Sequence, residues 1–161
     1  MKSFLIVIFL IFCVHFDSTF GDLDTYSVQC SSLRTNGYVM IRDRPCKIME
    51  MSNSKAGRHG QAKVKIVGHD MFTGKKYDDL CLPSRNIEVP IISRTEYQLI
   101  GIDNDGFSTL NDEHGNTRKD IRLPESKLGE TIREKFKQNV ELIVTVMSAV
   151  GEEGIVASKV P

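Results

Sequence analysis

The chain holds 161 residues, 40% of them hydrophobic and 26% charged, and its 21 basic side chains balance its 21 acidic ones. Four cysteines, one of them inside an N-terminal apolar stretch, are far too sparse for a disulfide-stapled scaffold, so that class is excluded. Charge is unevenly spread: residues 26–90 carry 11 Lys/Arg against 6 Asp/Glu and residues 91–161 carry 9 against 12, which suggests two units, the first better suited to a polyanion.

Lys2 precedes an uninterrupted apolar run, Phe4–Val14, and small residues Thr19 and Gly21 stand where a signal peptidase reads. Residues 1–21 therefore read as a secretory signal peptide. The run is too short to span a bilayer about 30 Å thick, which takes roughly 20 helical residues. The expectation is a secreted protein with no membrane span in the mature chain. A signal anchor or a wrongly joined first exon are the alternatives. The body itself has a cytosolic character, with no Asn-x-Ser/Thr acceptor and an odd set of cysteines, Cys30, Cys46 and Cys81, so a cytoplasmic protein is the alternative location.

Past residue 26 the segments are short, β-branched and punctuated by turns. Tyr38–Ile41 lies between Asn36-Gly37 and the charged turn Arg42-Asp43-Arg44-Pro45, and Cys46–Met51 and Ala62–Val67 alternate as half-buried strands do. After a turn at Phe72–Lys75, a strand is expected over Tyr77–Leu82. Strands at this spacing suggest a small barrel. Val89-Pro90 marks the boundary, because proline fixes its own φ and holds Val89 extended. Residues 22–90 and 91–161 are thus the two expected domains. In the second, Thr95–Ile102 and Phe107–Leu110 flank the turn Asp103-Asn104-Asp105-Gly106, and Arg118–Leu123 follows a turn at Glu113–Asn116. One short helix is expected near 126–137, capped by Ser126, with Leu128, Ile132 and Phe136 on one face and Gly129 weakening it slightly. Val140–Met147 and Ile155–Ala157 read as the last strands, and strands with one late helix suit an OB-like barrel.

Between the strands ending near Met51 and starting near Ala62 lies Ser52-Asn53-Ser54-Lys55-Ala56-Gly57-Arg58-His59-Gly60-Gln61. This stretch, 52–61, has two glycines, no large apolar residue and no acid. It cannot bury itself, so it should project as a basic hairpin tip, and Lys63 and Lys65 extend the positive face. Lys55, Gly57, Arg58, His59, Gly60 and Lys63 are the candidate phosphate-contacting residues. A solvated tip whose charges only confer solubility is the competing reading. No nucleophile–base pairing, catalytic residue, metal pattern or cofactor motif is legible, and His69-Asp70 and Asp112-Glu113-His114 read as polar turn clusters, so the chain is not expected to be an enzyme.

Pro45-Cys46-Lys47-Ile48, Ser54-Lys55-Ala56-Gly57-Arg58-His59-Gly60, Phe72-Thr73-Gly74-Lys75-Lys76-Tyr77, Tyr97–Ile102 and Asp120-Ile121-Arg122-Leu123-Pro124-Glu125 resemble successive blocks of translation initiation factor 5A, over about residues 28–158. The resemblance implies a mainly β chain: an SH3-like barrel followed by an OB-fold barrel with one short helix. It also implies binding to the ribosome near the peptidyl-tRNA, with promotion of elongation and termination. The departure lies at the tip. The family carries a lysine between this glycine and histidine that is converted to hypusine, and Arg58 stands there instead. A guanidinium stays protonated and is a poor nucleophile, so no modification site is expected. Lys55, three residues away, is not expected to substitute. The leader and Arg58 agree with one another, since an exported protein would not meet a cytosolic modifying enzyme. An exported binding protein with an unknown extracellular partner is therefore the alternative to a ribosomal one, and a faulty or decaying gene copy is the third reading.

Overall fold

The computed structural model describes residues 24–55 and 62–161. The leader 1–21 and the tip residues Gly57, Arg58, His59 and Gly60 lie outside the described residues.

The first half builds two small sheets around one core. β1 (Thr25–Gln29) pairs antiparallel with β6 (Asn86–Pro90), while β2 (Tyr38–Ile41), β3 (Arg44–Lys55), β4 (Ala62–Asp70) and β5 (Lys76–Cys81) form a four-stranded meander. Hairpin chemistry sets the order. Arg42 and Asp43 take φ of 51° and 60° between β2 and β3, the left-handed pair that a two-residue turn requires. Strand alternation then buries Val39, Ile41, Cys46, Ile48, Val64 and Ile66 in one cluster, closed by Cys30 and Cys81. β1 and β6 are strands that the sequence does not announce, since Val89-Pro90 reads there only as the domain boundary. Val89 is extended as the following proline dictates, but its backbone is also paired across to Tyr26.

Only Ile91 separates β6 from β7 (Ile92–Ile102). Here a second sheet begins, in the order β11 (Glu152–Lys159), β10 (Leu142–Ala149), β7, β8 (Phe107–Asn111), β9 (Thr117–Arg122). The helix α1 (Lys127–Lys137) lies between β9 and β10 in sequence, starting after Ser126 and ending at Gln138 with Asn139 at φ 56°, the left-handed stop that asparagine tolerates. Ser126 is extended as an N-cap residue should be, although its side chain makes no capping hydrogen bond. Ile132 inserts into a separate cluster with Leu99, Leu110, Leu142 and Val144. Gly129 has a positive reason to be there: a Cβ at this position would collide with the Pro124 carbonyl. The two clusters share no residue, and the chain is mainly β with one short helix, an N-terminal barrel followed by an OB-fold barrel.

Candidate nucleic-acid interface

The hairpin β3–β4 outgrows its neighbours. Its register runs to Lys55↔Ala62, but β2 accompanies β3 only as far as Tyr38↔Lys47, and β5 accompanies β4 only as far as Cys81↔Val64. The stem pairs Ser54↔Lys63 and Lys55↔Ala62 therefore stand clear of the sheet, with the hydroxyl of Ser54 reaching the Lys63 carbonyl at 3.4 Å. Lys63 and Lys65 are exposed on one face of β4, opposite the buried Val64 and Ile66. Lys65 is not a free cation. Its ammonium lies 3.8 Å from the Asp78 carboxylate, both exposed, and water screens such a pair to little. Of the residues singled out in the sequence, Lys55 and Lys63 are therefore placed on adjoining ends of the stem strands, and Lys63 faces solvent.

Sequence reasoning missed what lies beneath the stem. A cleft of about 710 Å³ is lined by Leu33, Arg34, Met51, Asn53, Ala62 and Val64, among others. Leu33 and Arg34 are also walls of a second cleft, about 560 Å³, which continues past Tyr26 and Tyr38 to Arg94 on the second barrel. Among the described residues no carboxylate lines either one. Both guanidiniums are held by neutral partners. Arg34 donates to the carbonyls of Ser31 and Leu33 at 2.9 and 2.7 Å, and Arg94 donates to the Tyr38 hydroxyl at 2.7 Å. Their charge is thus left for a ligand, while their orientation is fixed. Tyr26, 53% exposed, offers a ring face beside them. Arginine with exposed tyrosine, and no acid, is the composition that contacts phosphates and stacks on unpaired bases. No local pattern could have revealed it, because Tyr26, Arg34, Tyr38 and Arg94 come from four separate segments.

Three cations outside the clefts are paired with carboxylates within the fold: Arg118, Lys159 and Arg44. Arg118 pairs with Asp120 and Glu153, each at 2.6 Å, and its hydrogen bonds pull the Asp120 carboxyl down to about 2. Lys159 pairs with Glu96 at 2.7 Å. Arg44 lies between Asp70 at 2.6 Å and Glu152 at 2.9 Å. Burial alone would push the Asp70 carboxyl up, but Arg44 and the backbone N–H groups of Thr73 and Phe72 outweigh it and hold it below the usual carboxylate range.

The three cysteines divide two to one. Cys30 and Cys81 form a disulfide, with Cα atoms 6.4 Å apart and Cys30 lining the first cleft, and Cys46 is a buried thiol that burial pushes up to about 11. Among the described residues, no cluster of three or more His, Cys, Asp or Glu is placed to hold a metal ion, and no helix is long and apolar enough to cross a membrane.

Comparison with known proteins matches residues 23–85 to the family model "Translation initiation factor 5A-like, N-terminal" and residues 91–159 to "Eukaryotic elongation factor 5A hypusine, DNA-binding OB fold". The chain is 50% identical over 139 residues to translation initiation factor 5A of Drosophila melanogaster, covering 86% of this chain and 87% of that protein. It is 49% identical to factor 5A-1 of Saccharomyces cerevisiae, covering 86% and 88%. Among solved structures, a factor 5A family protein from Naegleria fowleri superposes with a TM-score of 0.75 at 46% identity, covering 85% of this chain and 99% of that one. The factor 5A structure from Methanococcus jannaschii superposes at 0.68 with 30% identity, covering 85% and 96%.

Proposed function

Because this chain belongs to the translation initiation factor 5A family, we propose that it binds ribosomal RNA and tRNA through the projecting basic hairpin and the acid-free groove beneath it, without hypusine. The observation that carries this reading is the pair of guanidiniums, Arg34 and Arg94, along two clefts that share residues and hold no acid among the described residues, with Lys63 exposed on the hairpin stem beside them. The family's modified lysine is replaced by Arg58, whose guanidinium cannot serve as the accepting amine. Phosphate contact then rests on unmodified Lys55, Arg58, His59, Lys63 and the two groove arginines, with Gly57 and Gly60 allowing the tip its close approach.

Two measurements test this. Intact mass after co-expression with the two hypusine-forming enzymes should show no aminobutyl addition. A gain mapped to Lys55 would overturn the loss of modification. Arg94→Ala and Lys63→Ala should each weaken RNA binding and lower the salt slope by about 0.7. Lys119→Ala, an exposed charge outside both clefts, should leave that slope unchanged. Equal effects of all three would reduce the groove to general surface charge.

A second reading, an exported protein on this scaffold, is favoured by the buried Cys30–Cys81 disulfide together with the leader. Its test is the native N-terminus. Secreted protein beginning at Asp22 supports export, and full-length protein co-sedimenting with ribosomes rejects it.

A further inference from the structure

We propose that Arg44 is a positioning residue for the groove, an ionic latch that locks the two barrels at the angle where Arg34 and Arg94 face one cleft. This rests on the RNA-binding reading above, but the latch itself can be tested without RNA.

The barrels are joined by a single residue outside any strand, Ile91. The groove straddles that joint, with Arg34 and Tyr38 on one side and Arg94 on the other. Its cationic character therefore depends on the angle between the barrels. Small polar interfaces between domains leave relative motion as the default, so something must hold that angle.

Arg44 is built for the purpose. The tight turn at Arg42-Asp43 starts β3 on it, and its Nε is fixed at 2.6 Å by Asp70, whose side chain is fully buried. Asp70 is itself held by the backbone N–H groups of Phe72 and Thr73 at 2.9 and 3.0 Å. The other edge of the guanidinium is left to reach Glu152 of the second barrel, at 2.9 Å from Nη1. Glu152 is presented by a second tight turn, Val150-Gly151, with φ of 52° and 72°. Beside the pair, Phe72 packs so closely on Gly154 that an added Cβ would lie 3.1 Å from its ring. A rigid anchor on one barrel thus grips a rigid turn on the other. At the groove, the Arg94–Tyr38 hydrogen bond is a further polar contact that spans the joint.

The decisive variant is Glu152→Ala, with Glu153→Ala as its control. Both remove one negative charge from neighbouring positions, but Glu153 pairs with Arg118 inside its own barrel. Nitrogen-15 relaxation reads whether the barrels tumble together. The wild-type protein and Glu153→Ala should show one shared correlation time, and Glu152→Ala, or the wild type in high salt, should show two shorter ones. Affinity for a structured RNA gives a second readout with opposite signs. Loss of a carboxylate alone favours a polyanion, so Glu153→Ala should bind slightly tighter. Glu152→Ala should bind up to about fivefold weaker, the factor that a partly exposed ion pair carries. A single shared correlation time in Glu152→Ala, or two in the wild type, overturns the latch. Tighter RNA binding by Glu152→Ala, matching the control, overturns its link to the groove. Absence of RNA binding by the wild type would overturn the proposed function and leave the relaxation result to judge the latch.

Discussion

Asp70 sets the chemistry of the joint between the barrels at the scale of one carboxylate. It is 2% exposed and accepts from Arg44, Phe72 and Thr73, so removing it leaves three donors short of a partner. Asp70→Ala should cost about 1–3 kcal/mol, read from denaturant midpoints. The pH dependence has a defined sign. A carboxyl held below its unfolded value, near 3.9, adds stability that is fully present above that value. The contribution is lost as pH falls through the lower folded value. Wild-type stability should therefore drop below about pH 4, and Asp70→Asn should show a shallower drop. A parallel pair of curves would contradict this assignment. Cysteine chemistry is as specific. Because burial pushes the Cys46 thiol up to about 11, the folded protein should resist iodoacetamide at that residue at neutral pH. Unfolded without reductant, Cys46 should be alkylated and Cys30 and Cys81 should not, as mapped by peptide mass. Labelling of all three would show the disulfide absent.

Elements built from neighbouring residues were the legible ones. The alternation in Ala62–Val67 and the spacing of Leu128, Ile132 and Phe136 report directly which face is buried, and β4 and α1 lie there. β1 and β6 escaped because each is only five residues long and its partner lies some sixty residues away, so the brief alternations of Tyr26 with Val28 and of Ile87 with Val89 have no neighbouring hairpin to mark them as strands. Pro90 at the end of β6 reads as a domain boundary, but proline is admissible on an edge strand such as β6, which pairs only with β1. The Cys30–Cys81 bridge, closing a separation of 51 residues, was equally out of reach of local pattern. In the chain-entropy model such a loop closure contributes about 4 kcal/mol. One turn departs from preference: Val150 holds φ 52°, a conformation that crowds a β-branched side chain. It is 37% exposed, so little burial is lost on replacing it. Val150→Asn, which creates an Asn-Gly turn with Gly151, should stabilise by about 1 kcal/mol. A lower unfolding midpoint would show that the Val150 side chain matters more than its backbone.

Viewed whole, the molecule separates its charge by function. The N-terminal half carries the excess of Lys and Arg, and the clefts beneath its hairpin lack acids among the described residues. In the C-terminal half, Arg118 and Lys159 are matched by carboxylates. The stretch 52–61 stands out in sequence because it holds no acid and no large apolar side chain; its first four residues, Ser52–Lys55, extend β3, and residues 56–61 lie outside the described residues. The groove does not stand out, because it exists only once two barrels meet. The most direct test is the affinity of the purified protein, carrying Arg58 unmodified, for structured RNA across a salt series. With three or four phosphate contacts, log affinity against log salt should fall with a slope of roughly −2 to −3. Affinity that does not change with salt would contradict recognition through this basic hairpin and groove.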